Sequence, residues 1–367
     1  MNTSIMLLMV ILLIPVYVSM IFIPYWTRKT ESFGVSIPEE AYHLPDIKEM
    51  RKKYALSTGL AALLTAVIFI LTSNGRNEEA ISILYAVLLV IFITASFGVY
   101  LVFHKKMKQL KEQYNEWGQT VQLVMIDTGF RQKKLAYSNL WFIIPFLISV
   151  VSIVITLVNY QHIPERFPMK YDLSGEVTNW GVKSYRSVLV LPIMQIYLTL
   201  LFLFINTVIS KAKQQVSAAN PEESIRKNII FRRRWSLYTI FVGTGLVSVF
   251  LFPQMSIIYP VDPKIHNIVP LVFAAVVLIG TLVLSIFTGQ GGSRVKVEAS
   301  SLNGKVVSRD DDRYWKLGMF YFNPNDPAIF LEKRFGIGWT NNWAHPISWI
   351  IFLAIIGIAV GIPLLLS

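Results

Sequence analysis

Cysteine is missing from all 367 residues. That excludes a disulfide framework, a thiolate nucleophile and a cysteine-based zinc site. Histidine is sparse: His43, His104, His162, His266 and His345 lie far apart along the chain, and no H-E-x-x-H pair occurs to grip zinc from one helix face. No G-x-S-x-G nucleophile elbow is present. The stretch GQGG at 289–292 lacks the lysine–hydroxyl pair of a phosphate loop and does not follow a strand. The expectation is therefore no metal, no cofactor and no catalytic residue. Charge is also scarce, at 15% of residues against about 25% in an ordinary soluble domain.

What is abundant is apolar sequence, 54% of the chain with a mean hydropathy of +0.51. Several runs exceed the length needed to cross a bilayer and carry no Asp, Glu, Lys or Arg. The fold class that follows is all-α, a polytopic transmembrane helical bundle of about eight spans: Thr3–Pro24, Tyr54–Thr72, Ala80–Phe103, Leu140–Asn159, Val188–Ile209, Trp235–Phe252, Ile268–Thr288 and Pro346–Leu366. The first run follows only MNTS, and Arg28 and Lys29 come after it. Those flanks are the reverse of a cleaved signal peptide, so it reads as a retained span. Organisation follows from the spans: a four-span region 1–160, a loop 160–187, spans five to seven in 188–288, a loop 289–346, and the last span 346–367.

The net charge of +12 reads as lysine and arginine held on one membrane side, not as a nucleic-acid surface. Odd-numbered loops carry 28 of the 34 basic residues and even-numbered loops carry 6. By the positive-inside rule the odd loops are cytoplasmic, which puts both termini outside a multi-pass protein of the cell membrane. The spans hold no ionisable group at mid-depth, where proton- and ion-coupled carriers need one. Their polar exceptions are Gln195 and Asn206, read as hydrogen-bonding glue between helices.

The loops carry local structure. Residues 104–118 continue the third span as a polar helix whose lysines suit anionic lipid. Residues 121–137 and 294–307 each read as a short hairpin, the second turning at Asn303-Gly304. Asn220 before Pro221 reads as a helix cap with proline in the first turn.

Two loops combine aromatics, charges and turn-formers. In 160–187, Pro164 and Pro168 stiffen an extended run. Asp172 to Gly175 suits a turn, followed by Glu176, and Asn179-Trp180-Gly181 suits another. A compact outer loop presenting Tyr171, Trp180 and Lys183 is suited to hold a ligand or peptide; the alternative is that its aromatics lie at the headgroup level. In 308–346, the NPNDP run at 323–327 makes a rigid turn of self-bonded Asx side chains. Residues 328–335 then read as a short interfacial helix with Lys333 and Arg334 toward headgroups. Gly336, Gly338 and Trp339 form a re-entry, and Asn341-Asn342 cap the last span.

These two patterns resemble known families. Ile163, Pro164, Pro168, Tyr171, Asp172, Gly175, Glu176, Trp180 and Lys183 are similar to the small domain of unknown function in SdpI-type membrane proteins. Lys170 stands where that family has histidine. Tyr321, Asn323, Pro324, Asp326, Pro327, Lys333, Arg334, Gly336, Gly338, Trp339, Thr340, Asn342 and Pro346 resemble a second, uncharacterised family that often accompanies the first. The SdpI-type group includes immunity proteins against secreted toxic peptides. The resemblance implies immunity, sensing or signalling toward a secreted peptide or envelope stress. The partners it implies are the lipid bilayer, a peptide outside and a regulatory protein inside. Two other classes stand beside it: a permease or channel component for a neutral solute, and a membrane enzyme.

Overall fold

The computed structural model describes residues 3–114, 117, 134–172, 176–215, 221–259, 261, 263–297 and 311–366. Eight of its helices are long and apolar enough to cross a membrane: α1 (Thr3–Trp26), α2 (Pro45–Ser73), α3 (Glu78–Gln113), α4 (Ile143–Val158), α5 (Tyr185–Lys211), α6 (Pro221–Ser256), α7 (Pro263–Thr288) and α8 (Pro346–Leu366). The protein is an all-α, multi-pass membrane bundle. Seven of the eight expected spans fall inside one helix; the fourth starts in a 3-10 turn, Asn139–Phe142, that leads into α4, and its last residue, Asn159, lies just past the end of α4. The helices run further where polar turns are continuous with the apolar run: α3 reaches Gln113, and α6 begins fourteen residues before Trp235, at Pro221. Asn220 and most of the two hairpins expected at 121–137 and 294–307 lie outside the described residues.

The chain forms two compact units. The first comprises 1–135, 211–234 and 278–348. Its helices α1, α2 and α3 pack with few polar links, including Tyr17 to Thr65 at 3.0 Å and the Tyr54 hydroxyl donating to the Met20 carbonyl at 3.2 Å. Where the helices end, this unit builds a cap from short antiparallel pairs. These are β1 (Glu31–Ser32) with β2 (Val35–Ser36), β5 (Trp315–Lys316) with β6 (Phe320–Tyr321), and β7 (Phe330–Glu332) with β8 (Trp339–Asn341). Phe33 and Gly34 turn the first pair with φ of 46° and 77°, the left-handed pair that a two-residue hairpin requires. Phe33 is fully buried among Tyr54, Tyr100, Phe103 and Phe335, so the strained turn is held by an aromatic core. The Tyr100 hydroxyl donates to the Leu317 carbonyl at 2.8 Å, and His104 Nδ1 lies 2.7 Å from the Phe33 carbonyl. Helix α3 thereby ties the β1–β2 turn to the β5–β6 turn.

The second unit comprises 136–210, 235–277 and 349–367. It contains α4, α5, most of α6 and a hairpin of β3 (Arg166–Tyr171) with β4 (Val177–Val182). Buried Ile163, Phe167, Val188 and Ile257 seat the hairpin against helix ends. Residues 179–181, expected as a turn, are instead paired strand. Gly181 stands there because a Cβ would lie 2.7 Å from the Met169 sulfur, so the glycine serves close packing across the strands.

Candidate functional site

The cap of the first unit is a network of buried charge. Glu332, on β7, is fully buried. One carboxylate oxygen takes the Arg232 guanidinium at 2.8 Å, and Asn228 donates to both oxygens at 2.8 and 3.1 Å. Arg28 forms a close ion pair with the same carboxylate. Arg232 further donates to Asn228 at 2.7 Å and to the Ala212 carbonyl at 2.9 Å. Arg334 pairs with Asp311 and Asp312 and lies 5.0 Å from the Trp315 ring centre. Lys111 at the end of α3 reaches Asp312 at 2.8 Å, and Lys213 after α5 reaches Asp326 at 2.6 Å. First, fifth and seventh loops and the end of α3 therefore converge on one face of this unit, as an alternating eight-span topology requires.

Burial and pairing oppose each other here, and the outcome differs between carboxylates. Burial raises the Glu31 pKa, and the nearby Arg28 and Arg334 only partly offset it. At Asp326 burial also raises, yet bonds from Lys213, the Ala328 N–H and Tyr321 outweigh it, so the carboxyl sits below its ordinary value. Burial lowers Arg28 and Lys333.

Each residue expected in this segment has a definite place. Asn323 and Asp326 accept from the N–H groups of Asn325 and Ala328, both at 3.0 Å. The Asx turns around Pro324 and Pro327 are thus present. Tyr321 donates to Asp326 at 2.8 Å and receives Asn323 at 3.0 Å. The stretch read as an interfacial helix is not one: 330–332 is strand, Arg334 is 1% exposed and Lys333 is partly buried. A lipid-facing helix would have stripped Glu332 and Arg334 of their partners; the strand brings both into the network. Gly336 and Gly338 carry φ of 91° and 109°. Gln290 of the GQGG run clasps this turn, donating to the Lys333 and Gly338 carbonyls at 3.0 Å and accepting the Gly338 N–H at 2.7 Å. Trp339 packs on Phe231 at 5.2 Å. Asn342 does not cap α8. Its amide donates to the Asn323 and Asp326 carbonyls at 2.8 and 3.0 Å, and His345 Nδ1 takes the Ile347 N–H at 3.3 Å instead.

The hairpin of the second unit is built differently. Pro168 pairs with Trp180 and Tyr171 with Val177. Asp172 accepts the Glu176 N–H at 2.7 Å, closing the turn; Gly175 lies outside the described residues. Pro164 and Glu176 are exposed, and burial raises the Tyr171 phenol. Lys183 points to the hairpin's own base, 5.0 Å from the Tyr160 ring centre and 4.0 Å from Glu165. Trp180 and Val182 are left 55% and 66% exposed.

Sequence reasoning named Arg334 and Asp326 but missed Glu332, Arg232, Asn228, Arg28 and Gln290. Its one available signal was Glu332, a carboxylate set between the apolar run Ile329–Leu331 and the cations Lys333 and Arg334. Among the described residues no group of three or more His, Asp or Glu is placed to hold a metal.

Two family models match short parts of the chain. Residues 147–196 match a domain of unknown function (DUF1648), and residues 324–349 match a family of unknown function (DUF5808). The first covers α4, the hairpin and the start of α5; the second covers β7, β8 and the start of α8. No curated protein and no solved structure matches the chain.

Proposed function

We propose that this membrane protein engages a secreted peptide or an envelope-stress signal at the β3–β4 hairpin and acts in immunity or signalling toward it. The supporting observation is the exposed pair Trp180 and Val182 on a hairpin whose other face is anchored by buried Phe167 and Ile163. An apolar surface held on a fixed strand pair offers a ligand contact area that is already ordered. The SdpI-like residue pattern through Pro164, Pro168, Trp180 and Lys183 supports the same reading. The excess of basic residues on odd loops supports an outside position for the hairpin and for both termini.

Deletion of the protein, followed by challenge with secreted toxic peptides and cell-wall agents, tests this. Sensitivity should rise, wild-type protein should restore resistance, and Trp180→Ala should not. Unchanged sensitivity of the deletion strain to every challenge overturns the reading. A reporter fused after Ser367 should be active outside; a cytoplasmic signal overturns the orientation.

A further inference from the structure

The interior of the second unit carries a line of polar side chains where hydrocarbon surrounds the bundle. On α4, Ser149, Ser152 and Thr156 are fully buried; on α5, Gln195, Thr199 and Asn206; on α6, Ser236 and Gln254. At one end Gln254 donates to Thr156 at 2.7 Å and to the Val188 carbonyl at 3.0 Å. At the other, Asn206 donates to Asn139 at 2.8 Å and accepts from Ser236 at 2.6 Å. From Val188 to Asn206 the line spans about 27 Å at about 1.5 Å per residue, close to the roughly 30 Å of the hydrocarbon core. It holds no charge.

Helix glue should leave such groups satisfied, and the Asn206 cluster meets that expectation. Three buried atoms do not: Ser152 Oγ, Gln195 Oε1 and Gln254 Oε1 have no hydrogen-bond partner among the described residues. Turning the amides over does not help. Gln195 Nε2 already donates to the Val247 carbonyl at 2.9 Å, and a flip would set two carbonyl oxygens against each other; Gln254 faces the same clash at Val188. Both glutamines thus present a fixed acceptor to the interior. An unpaired polar group in an apolar medium is strongly disfavoured, and two carbonyls can be met only by a donor.

We propose that the seam between α4, α5 and α6 is a binding site for a small neutral hydrogen-bond donor, either water or a polyol- or amide-type solute. Gln195 and Gln254 accept from it, and the Ser152 hydroxyl completes the site. The absence of charge sets the class, since an ion would find no counter-charge along the line.

The cysteine-free chain allows a direct test. Ser152→Cys is made in the full-length protein, reconstituted in liposomes and reacted with N-ethylmaleimide. This reagent crosses bilayers but needs a thiolate, and each pKa unit by which a dry, apolar setting raises a thiol removes about tenfold of the thiolate. Ser152→Cys should react at least about tenfold faster than Leu147→Cys, a position 54% exposed on the outer surface of α4. Adding Gln195→Leu or Gln254→Leu should remove that advantage without changing Thr178→Cys on the exposed hairpin. Slowing by excess glycerol or urea identifies a polyol or amide occupant; indifference to both identifies water. Should Ser152→Cys fail to assemble, Thr199→Cys on α5 reports on the same seam. Reaction as slow as Leu147→Cys at both positions overturns the proposal.

Discussion

The cap of the first unit and the hairpin of the second are written in the same residue alphabet: aromatics, prolines, glycines and charges between apolar runs. They spend it differently. In the cap Glu332 and Arg232 are fully buried and meet each other. On the hairpin Glu165 stands 88% exposed beside Lys183 at 4.0 Å, and Trp180 faces outward. Density of aromatic and charged residues in a loop therefore does not mark a binding site. What separates the two regions is whether polar atoms and rings are consumed inside the fold or left for something else.

The largest test removes a carboxylate from each region. Glu332→Ala leaves Arg28 and Arg232 buried beside a missing partner, and breaking a buried pair costs about 3–5 kcal/mol. Glu165→Ala removes an exposed partner, with an expected cost of about 0–1 kcal/mol. Thermal unfolding of the purified protein in detergent reads both, and equal shifts would erase the distinction. Next in size is the β1–β2 turn. Gly34 has φ of +77°, and a Cβ there would lie 2.5 Å from the Gly318 carbonyl oxygen. Gly75, with φ of +76°, has nothing within 4 Å. Alanine at Gly75 should cost about 1 kcal/mol of backbone strain, and at Gly34 about 1–3 kcal/mol more, for the close approach. The same melts check it.

The acid limb gives a smaller effect of known sign. Asp326 is more acidic in the folded protein than in the unfolded chain, because the bonds from Lys213, Ala328 and Tyr321 outweigh its burial. Its contribution is fully present above the unfolded carboxyl's pKa and is lost as pH falls through the depressed folded value. Glu31 has the reverse sign: burial raises its pKa, so its contribution is present at low pH and lost as pH rises through the raised folded value. Asp326→Asn should flatten the acid side of a stability–pH profile, and Glu31→Gln should remove a decline on its alkaline side. A profile unchanged in both would mean that the cap does not hold these carboxylates as described.

The spans were legible because a helix in hydrocarbon satisfies its own backbone, so a long uncharged run is sufficient evidence for one. Gln195 and Asn206 were legible as interior groups for the same reason: a polar residue in such a run needs an inward face. Gln254, at the expected edge of the sixth span, gave no such contrast. The cap was opaque. Arg28 was weighed as a topological charge, and its carboxylate lies more than 300 residues away at Glu332; only the folded loops bring them together. AIFLEKRF misled because eight residues mixing apolar and charged side chains fit a helix turn and a strand alike. Local pattern cannot decide between them when the partner strand, Trp339–Asn341, is itself only three residues.

The smallest expected effect on stability is also the sharpest on function. Trp180→Ala removes a side chain that is 55% exposed and pairs across β3 with Pro168, so unfolding should shift by no more than about 0.5 kcal/mol. Trp315→Ala, in the cap, removes a ring that is 2% exposed and packed 5.1 Å from Tyr321, and should cost about 3–5 kcal/mol. The functional order should be inverted. Trp180→Ala protein, folded and abundant in the membrane, should fail to restore resistance. Trp315→Ala should lose resistance only in proportion to lost protein, as read by quantitative blotting of the membrane fraction. If resistance tracks abundance for both variants, the exposed tryptophan is a headgroup anchor like any other interfacial ring, and the hairpin differs from the cap in exposure alone.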